Sequence, residues 1–288
     1  MANEKLAARM EEIILNRIAT EKLAIPVLPV MANRCLAALR DPNLSIKRLT
    51  AIIEQDPLIA ARLLRLANTA TYGAGGVRTL EGAVGRLGLA KLKTILFELS
   101  ARQVFQSRDA RIAKATRTMW DHSVAVALMA RDLTALSSKA EEMDTAYLAG
   151  LLHDIGKPVV AAMLLEAEKL IASAPGAGWI SSDDWLEVIG KVHRPVALAL
   201  AQKWSLPEDV TTTIRDLSDY DTAARQGASN FVRFANAVAK REGIYAGDYS
   251  MDDVEALIMI GRSLLDVNDE ILGKLTGGLK ERVAIQGD

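Results

Sequence analysis

The sequence predicts an all-helical protein, and three observations lead to that prediction. Alanine and leucine are frequent while only 5% of the residues are aromatic, a composition that favours helix. Apolar residues recur three and four positions apart along nearly the whole chain, which is the period of an amphipathic helix. No stretch shows the two-residue alternation of a half-buried strand, so we expect few strands or none.

Proline and small polar residues divide the first part of this pattern into helices. Pro26 and Pro29 end a first amphipathic helix at residues 3–22, because proline lacks an amide hydrogen and restricts the residue before it. Ser45 and Asp56 each precede an apolar helical pattern and have side-chain oxygens that can bind a free amide of the first turn. Both residues are therefore predicted N-caps.

Thr79 and the glycines after it set the next boundaries. Thr79 is predicted to cap a short helix, which Gly88 separates from a longer one at residues 89–105. The clearest non-helical segment is Ser173–Ser182, which contains one proline and two glycines. Further helices are predicted, in chain order, at residues 110–136, 144–155, 158–173, 182–190, 194–204, 207–216, 222–242, 251–264 and 268–284.

Composition excludes several classes of protein. The single cysteine, Cys35, rules out an internal disulfide and a cluster of thiolate metal ligands. The first residues are charged, which argues against a signal peptide, and apolar runs such as Val159–Leu165 are too short to cross a bilayer. We therefore expect a cytoplasmic protein with no membrane association.

Charge is distributed unevenly although the formal net charge is only −1. Residues 62–117 carry 11 Lys or Arg against 3 Asp or Glu, whereas residues 118–288 carry 16 against 26. Two interpretations of the basic stretch are open: a surface for phosphates or an acidic partner, or the solvated side of several helices. No aromatic residues interleave the charges, so nucleic-acid binding is not expected. The basic residues are Arg62, Arg65, Arg78, Arg86, Lys91, Lys93, Arg102, Arg108, Arg111, Lys114 and Arg117.

Histidine is rare in this chain, so each of the three histidines is informative. His122 lies in a strong helical pattern, and His153 is followed directly by Asp154 at the end of another. Imidazole nitrogen and carboxylate oxygen are common ligands of Zn²⁺, Fe²⁺ and Mn²⁺. Two helices side by side would bring these three side chains to one point.

These residues carry a family resemblance. The run Tyr147–Lys157, preceded by His122, resembles the signature of the HD phosphohydrolase superfamily. The upstream half resembles the HDOD family, the regulatory output version of that fold, and the similarity covers about residues 20–245. The resemblance implies a multi-helix HD-type bundle with an N-terminal helical HDOD subregion. The upstream matches are Ile25–Val30, Ile53–Pro57, Ala61–Asn68 with Tyr72 and Gly73, and Ala83–Gly88.

The resemblance also implies a division of the chain. Residues 1–24 are expected to form an N-terminal helix or linker, and residues 25–245 the HDOD domain. That domain would consist of an N-terminal helical half at 25–108 and an HD-like half at 109–245. Residues 246–288 would be a helical extension packed on the domain.

The departures from the HD pattern bear directly on activity. In active relatives a first histidine, the HD pair and a distant aspartate bind one metal, and His122, His153 and Asp154 match the first three. Asn236 stands at the position of the distant aspartate, so two neutral histidines and one carboxylate would only half neutralise a divalent ion. His193 resembles a further histidine of the two-metal branch, but Leu217 and Ser218 replace the histidine pair that should follow. At most a single divalent metal is implied.

Each candidate residue has a second interpretation. His153 and Asp154 are either metal ligands or a structural pair at a helix junction, and His122 is either a ligand or a buried hydrogen-bonded histidine. For His193, a packed or capping histidine at a helix start is favoured over a weaker metal candidate. Lys157 matches a lysine that can meet a phosphate, but an exposed helix-end charge is favoured.

The resemblance implies a bacterial signal-transduction output module rather than a working enzyme. Its partners would be signalling proteins, such as a receiver domain or a cyclic-dinucleotide enzyme, and the chain could be part of a longer response regulator. A nucleotide-like ligand between the two helical halves is a further hypothesis, motivated by the basic stretch. The alternative is a metal-dependent phosphohydrolase or phosphodiesterase acting on a nucleotide or cyclic dinucleotide.

Overall fold

A computed structural model of the chain describes residues 2–20, 22, 24–73, 75–172 and 182–287. Helices connected by short turns make up this part of the chain, and no strand occurs among the described residues. The prediction of an all-α, HD-type helical bundle is therefore confirmed.

The helices are named here in chain order. Two short 3-10 turns, at Ala70–Tyr72 and Ala140–Glu142, precede α5 and α7. The bounds are α1 Ala2–Ala19, α2 Val30–Ala38, α3 Ile46–Ile53, α4 Pro57–Ala67, α5 Leu80–Phe105, α6 Ala110–Ala135, α7 Met143–Leu152, α8 Gly156–Ala172, α9 Ser182–Trp204, α10 Glu208–Arg215, α11 Ala228–Arg241, α12 Met251–Leu265, α13 Asp269–Thr276 and α14 Leu279–Gly287.

The chain divides into two compact units, which are described separately. One consists of Val27–Ala101, and the other of Met1–Pro26 together with Arg102–Asp288. We call them the small unit and the large unit. The candidate functional residues all belong to the large unit.

Part of the basic stretch serves internal contacts of the small unit. The guanidinium of Arg86 donates hydrogen bonds to the carbonyl oxygens of Ala67 at 3.1 Å and Gly75 at 2.8 Å. Arg62 forms an ion pair with the buried side chain of Glu98. These two arginines therefore make contacts within the small unit, although Arg86 is also exposed to solvent.

The large unit is built around α6, most of which is buried. This helix packs against α7, α8, α11 and α14, and α9 packs against α8 and α1. The N-terminal segment is fixed by the indole of Trp204, which donates a hydrogen bond to the carbonyl oxygen of Pro26 at 2.9 Å. The result is a helical core that surrounds both His122 and His153.

The last helix is tied to the core by polar contacts. Arg282 of α14 forms an ion pair with Asp132 of α6, with Nη1 and Oδ2 at 2.6 Å. Gln286 donates a hydrogen bond to the hydroxyl of Tyr147 at 3.2 Å. The C-terminal residues thus contact the same helices that carry the HD signature.

The predicted start and break signals in the small unit are confirmed. The side chain of Ser45 accepts a hydrogen bond from the amide of Arg48 at 3.2 Å, and Thr79 caps in the same way. Asp56 accepts from the amides of Leu58 and Ile59, which caps α4. Gly88 has a φ of 79°, so the α5 pattern is interrupted where the sequence indicated.

Three predicted boundaries are wrong. Residues 182–190 and 194–204 form one helix, α9, which continues through Pro195 because Val192, Val196 and Leu200 keep one buried face. Predicted helix 268–284 is two helices, since Gly278 adopts a φ of 60°. Predicted helix 222–242 begins only at Ala228, because Asp221 turns the chain by accepting hydrogen bonds from the amides of residues 223 and 224. For the predicted non-helical segment Ser173–Ser182, residues 173–181 lie outside the described residues.

Candidate metal centre

A glycine allows His122 and the His153–Asp154 pair, the two parts of the HD signature, to lie side by side. Gly150 of α7 lies directly against α6, and a Cβ atom added there would stand 2.8 Å from the Cα of Ala127. Only a residue without a side chain allows this approach of the two backbones. The crossing places His153, which follows α7, beside His122 of α6, with 5.3 Å between the ring centroids.

A second glycine brings α9 to the same point. Gly156 begins α8, and a Cβ atom on it would stand 1.8 Å from the carbonyl oxygen of His193. The contact is so close that α8 and α9 could not pack in this way with alanine at position 156. His193 is thereby held beside Asp154, two residues before the glycine.

All three histidines are oriented in the same way. The Nδ1 atom of His122 lies 2.7 Å from the carbonyl oxygen of Ile244. The Nδ1 atom of His153 lies 2.7 Å from the carbonyl oxygen of Gly150, and that of His193 lies 2.8 Å from the carbonyl oxygen of Gly190. A carbonyl oxygen only accepts hydrogen bonds, so Nδ1 carries the proton in each ring. The neutral form of each ring therefore has its lone pair on Nε2.

The three Nε2 atoms converge on the carboxylate of Asp154. His153 Nε2 lies 3.2 Å and His122 Nε2 3.8 Å from Oδ2, and His193 Nε2 lies 3.5 Å from Oδ1. The Nε2 atoms of His122 and His153 are buried and have no hydrogen-bond partner among the described residues. Two unpartnered lone pairs beside a carboxylate are the donor set of a cation site.

Burial keeps two of these histidines neutral. Burial and the neighbouring His153 together lower the pKa of His122 to about 3, while Asp154 opposes the shift. Burial also lowers the pKa of His193 below its ordinary value. Both rings are therefore uncharged at neutral pH, which is the form that binds a metal.

Lys157 is the charged partner of Asp154. Its Nζ lies 2.5 Å from Oδ2 of the carboxylate and 3.2 Å from the hydroxyl of Tyr245. Burial alone would lower the pKa of Lys157, but the Asp154 carboxylate raises it above its ordinary value. Burial would likewise raise the pKa of Asp154, yet the positive charge of Lys157 helps to hold it well below its ordinary range.

Two interpretations from the sequence are corrected by this arrangement. Lys157 is not an exposed helix-end charge: it is only 7% exposed and lies in the first turn of α8, where the helix dipole disfavours a cation. The pairing with Asp154 offsets that cost. His193 does not cap a helix start, because Pro195 does not break α9 and the histidine lies in its interior.

Asn236, which the sequence comparison with the HD pattern aligned with the distant aspartate, has a buried side-chain oxygen. Its Oδ1 has no hydrogen-bond partner among the described residues. Asn236 precedes Lys240 by four residues, so both lie on one face of α11. Lys240 Nζ lies 4.7 Å from the centroid of the Tyr245 ring, which contacts the ring of His122 edge to face. This face of α11 is therefore directed towards the histidines.

Sequence reasoning missed Tyr245 and Lys240. Tyr245 contacts His122, Lys157 and Lys240 although it lies beyond the end of α11. The available signal was Gly243, whose φ of 73° ends the helix and turns the chain back. This turn delivers the carbonyl oxygen of Ile244 to His122 and the phenol of Tyr245 to Lys157.

The donor chemistry fits a divalent cation only in part. His122, His153 and Asp154 offer two nitrogens and one oxygen, all within 4.8 Å of one another. Asp154 is the one carboxylate of this group in the described part of the chain, and its charge is already balanced by Lys157. A divalent ion held by these ligands would therefore meet no net negative charge unless the lysine moved away.

The fold and this centre define an HD-type helical domain. The chain belongs to the HDOD domain family, whose family model matches residues 25–220. A relative from Treponema pallidum (strain Nichols), an uncharacterized protein, is 29% identical over 196 residues. The match covers 66% of this chain and 37% of that relative, so the chain corresponds to little more than a third of the relative's length.

Solved structures share the fold along nearly the whole chain. A protein from Shewanella amazonensis SB2B, described as a candidate metal-dependent phosphohydrolase, has a TM-score of 0.79 at 23% identity, with 100% of both chains covered. An HDOD domain protein of unknown function from Geobacter sulfurreducens has a TM-score of 0.65 at 24% identity, covering 96% of this chain and 97% of that one. A candidate signal transduction protein from Marinobacter aquaeolei VT8 has a TM-score of 0.63 at 22% identity, and the match covers 99% of this chain and 66% of that one. At these identities the likeness concerns the fold.

One helical stretch of the large unit is strongly apolar. Residues Ala140–Lys169 are long and apolar enough to cross a membrane, with a mean hydropathy of 1.5 in the most apolar window. However, 89% of that window is buried inside the protein. Because the stretch is buried, packing in the core explains its apolar character. The HD pair lies within this stretch.

Proposed function

We propose that this chain is a signal-transduction output module that acts by binding and does not hydrolyse phosphate esters. In this proposal the HD residues form a structural centre that holds α6, α7, α8 and α9 together. A divalent cation, where it binds, would be held by His122, His153 and Asp154, with His193 and Asn236 as weaker contributors.

The buried ion pair of Lys157 and Asp154 is the observation that supports this proposal. The ammonium lies 2.5 Å from a carboxylate oxygen that a metal would need, and both side chains are buried. The lysine would therefore compete with any cation for that oxygen. When bound, a divalent ion would supply Lewis acidity. In this centre the competing ammonium and the neutral Asn236 would make such binding weak.

The alternative is a metal-dependent phosphohydrolase acting on a nucleotide or cyclic dinucleotide. The convergence of three Nε2 atoms on Asp154 favours it, because this is an arrangement of potential ligands. In that case Lys157 would leave Asp154 and contact a substrate phosphate. The signalling proposal requires instead that Lys157 stay paired with Asp154.

The partners in this proposal are signalling proteins. A receiver domain or a cyclic-dinucleotide enzyme would provide the input or receive the output, in a longer chain or as a separate protein. We also propose that residues 25–245 form the HDOD domain, with residues 1–24 and 246–288 as flanking helical segments. A nucleotide bound without cleavage remains part of this proposal.

Phosphodiesterase turnover tests the proposal. Wild-type protein and the Asp154→Ala variant would be incubated with Mn²⁺ or Mg²⁺ and either cyclic di-GMP or bis(p-nitrophenyl) phosphate, with product measured over time. We expect no turnover above buffer in either protein, because Lys157 occupies the metal-binding oxygen in the wild type and the variant lacks that oxygen. Turnover in wild type that is lost in Asp154→Ala would establish the phosphohydrolase instead.

A further inference from the structure

A cavity lies away from the histidines, between the end of α5 and the first half of α6. Its volume is about 240 Å³, and it belongs entirely to the large unit. Its charged residues are two arginines and one aspartate, which leaves a net charge of +1. The residues that matter for its chemistry are Arg102, Phe105, Ser107, Arg117, Trp120 and Asp121.

The wall of this cavity is set by two packed aromatic rings. The rings of Phe105 and Trp120 are both buried, with centroids 5.4 Å apart and planes inclined at 59°. Arg117 and Asp121 are a helical turn apart on the same face of α6, next to Trp120. An apolar surface therefore lies beside charged groups, which is the usual composition of a small-molecule site.

Trp120 provides a buried hydrogen-bond donor. Its indole Nε1 is buried and has no acceptor among the described residues, although buried donors are nearly always paired. The indole nitrogen can only donate, so its missing partner is an acceptor such as a carboxylate or phosphate oxygen. The indole thus requires the same kind of ligand atom that the exposed guanidinium of Arg117 can bind.

The geometry points to a second ligand site in which this cavity binds a small organic anion. The ligand would have a carboxylate or phosphate placed by the exposed Arg117, an oxygen bonded to Trp120 Nε1, and a compact apolar body against Phe105. Drug-sized ligands occupy pockets of about 300 Å³ or more, so the cavity suits a smaller molecule. This also gives a role to Arg117, one arginine of the basic stretch.

The site is independent of the proposed metal centre. His122 follows Trp120 by two positions on α6, so the two side chains leave different faces of the helix. Binding at the cavity requires neither a metal nor hydrolysis, and it can be measured in the presence of a chelator. Failure of one proposal would therefore leave the other unaffected.

Isothermal titration calorimetry with two simple probes tests this inference. Phenyl phosphate and benzoate would be titrated into the full chain in the presence of EDTA, with phenol as the neutral analogue. We expect saturable binding of at least one anion and none of phenol. Affinity should fall about tenfold or more in Arg117→Gln and in Trp120→Phe, because each loses a charge-assisted hydrogen bond.

Arg65→Gln is the matched control, since Arg65 is an exposed arginine of the small unit. Its affinity should equal that of wild type, and thermal unfolding would verify that every variant is folded. Arg117 is exposed, so its variant tests the site even if Trp120→Phe disturbs the core. Absence of saturable binding for both anions, or an affinity unchanged in Arg117→Gln, would overturn the inference.

Discussion

At the scale of single residues, the ammonium of Lys157 and the carboxylate of Asp154 lie 2.5 Å apart, and this pair sets the charge of the centre. Taking either charge away would leave the other buried without compensation. Such a loss is costly because the remaining ion keeps its desolvation penalty and has no partner. The pair is therefore a sensitive point of the fold as well as of the site.

Replacing Lys157 by methionine tests this point. In chelator-treated protein we expect the free energy of unfolding to fall by about 3 kcal/mol or more, because Asp154 loses its partner. Urea unfolding followed by circular dichroism measures the change. Lys139→Met is the control, since Lys139 pairs with Glu142 on an exposed surface, and it should unfold like wild type. Equal midpoints for the two variants would show that the buried pair contributes nothing to stability.

Sequence reasoning indicated the candidate residues that the structure brings together, but it did not indicate the pairing of Asp154 with Lys157. The motif indicated His122, His153 and Asp154, and the structure brings all three within 4.8 Å. It did not show that Lys157 is buried, because a lysine near a helix terminus is usually exposed and only tertiary packing decides otherwise. Tyr245 was missed for a similar reason: it reaches the site through a turn outside any helix.

At the scale of the helices, two glycines decide whether the site can form. Gly150 allows α7 to lie against α6, and Gly156 allows α8 to lie against α9. Neither adopts a positive φ, so their role is the close approach of backbones. The HD signature thus contains the glycines that allow its helices to pack, as well as the candidate ligand residues.

Gly156→Ala should disrupt this packing. The added Cβ would stand 1.8 Å from the carbonyl oxygen of His193, so α9 must shift. We expect a loss of about 3 kcal/mol in the free energy of unfolding. Gly190→Ala is the control in α9, because a Cβ there meets nothing within 4 Å; it should stabilise by up to about 1 kcal/mol. Similar effects of the two changes would contradict the account of helix packing.

Local signals predicted helix starts better than helix continuity. Ser45 and Asp56 cap helices as their side chains suggested, because capping depends on a few neighbouring atoms. A helix break was predicted before residue 194, with Pro195 at the start of the next helix, yet α9 continues through the proline because its apolar face is buried on both sides of it. Burial along a whole helix is a tertiary effect that a local pattern does not contain.

At the scale of the whole molecule, the chain belongs to the HDOD family, and comparison of its sequence with the HD pattern indicates that its centre lacks one carboxylate. Asn236 stands where that pattern has an aspartate, and its buried Oδ1 lacks a partner among the described residues. A divalent ion therefore meets one carboxylate that is already balanced by Lys157. This charge balance is the reason why we propose a role in binding rather than hydrolysis.

Metal content tests this central claim most directly. Wild-type, Asp154→Ala and Asn236→Asp proteins would be incubated with Mn²⁺, desalted and analysed by plasma mass spectrometry. We expect well below one ion per chain in wild type and in Asp154→Ala, and a clear increase in Asn236→Asp, because a second carboxylate restores negative charge to the centre. Full occupancy in wild type that is lost in Asp154→Ala would contradict the account.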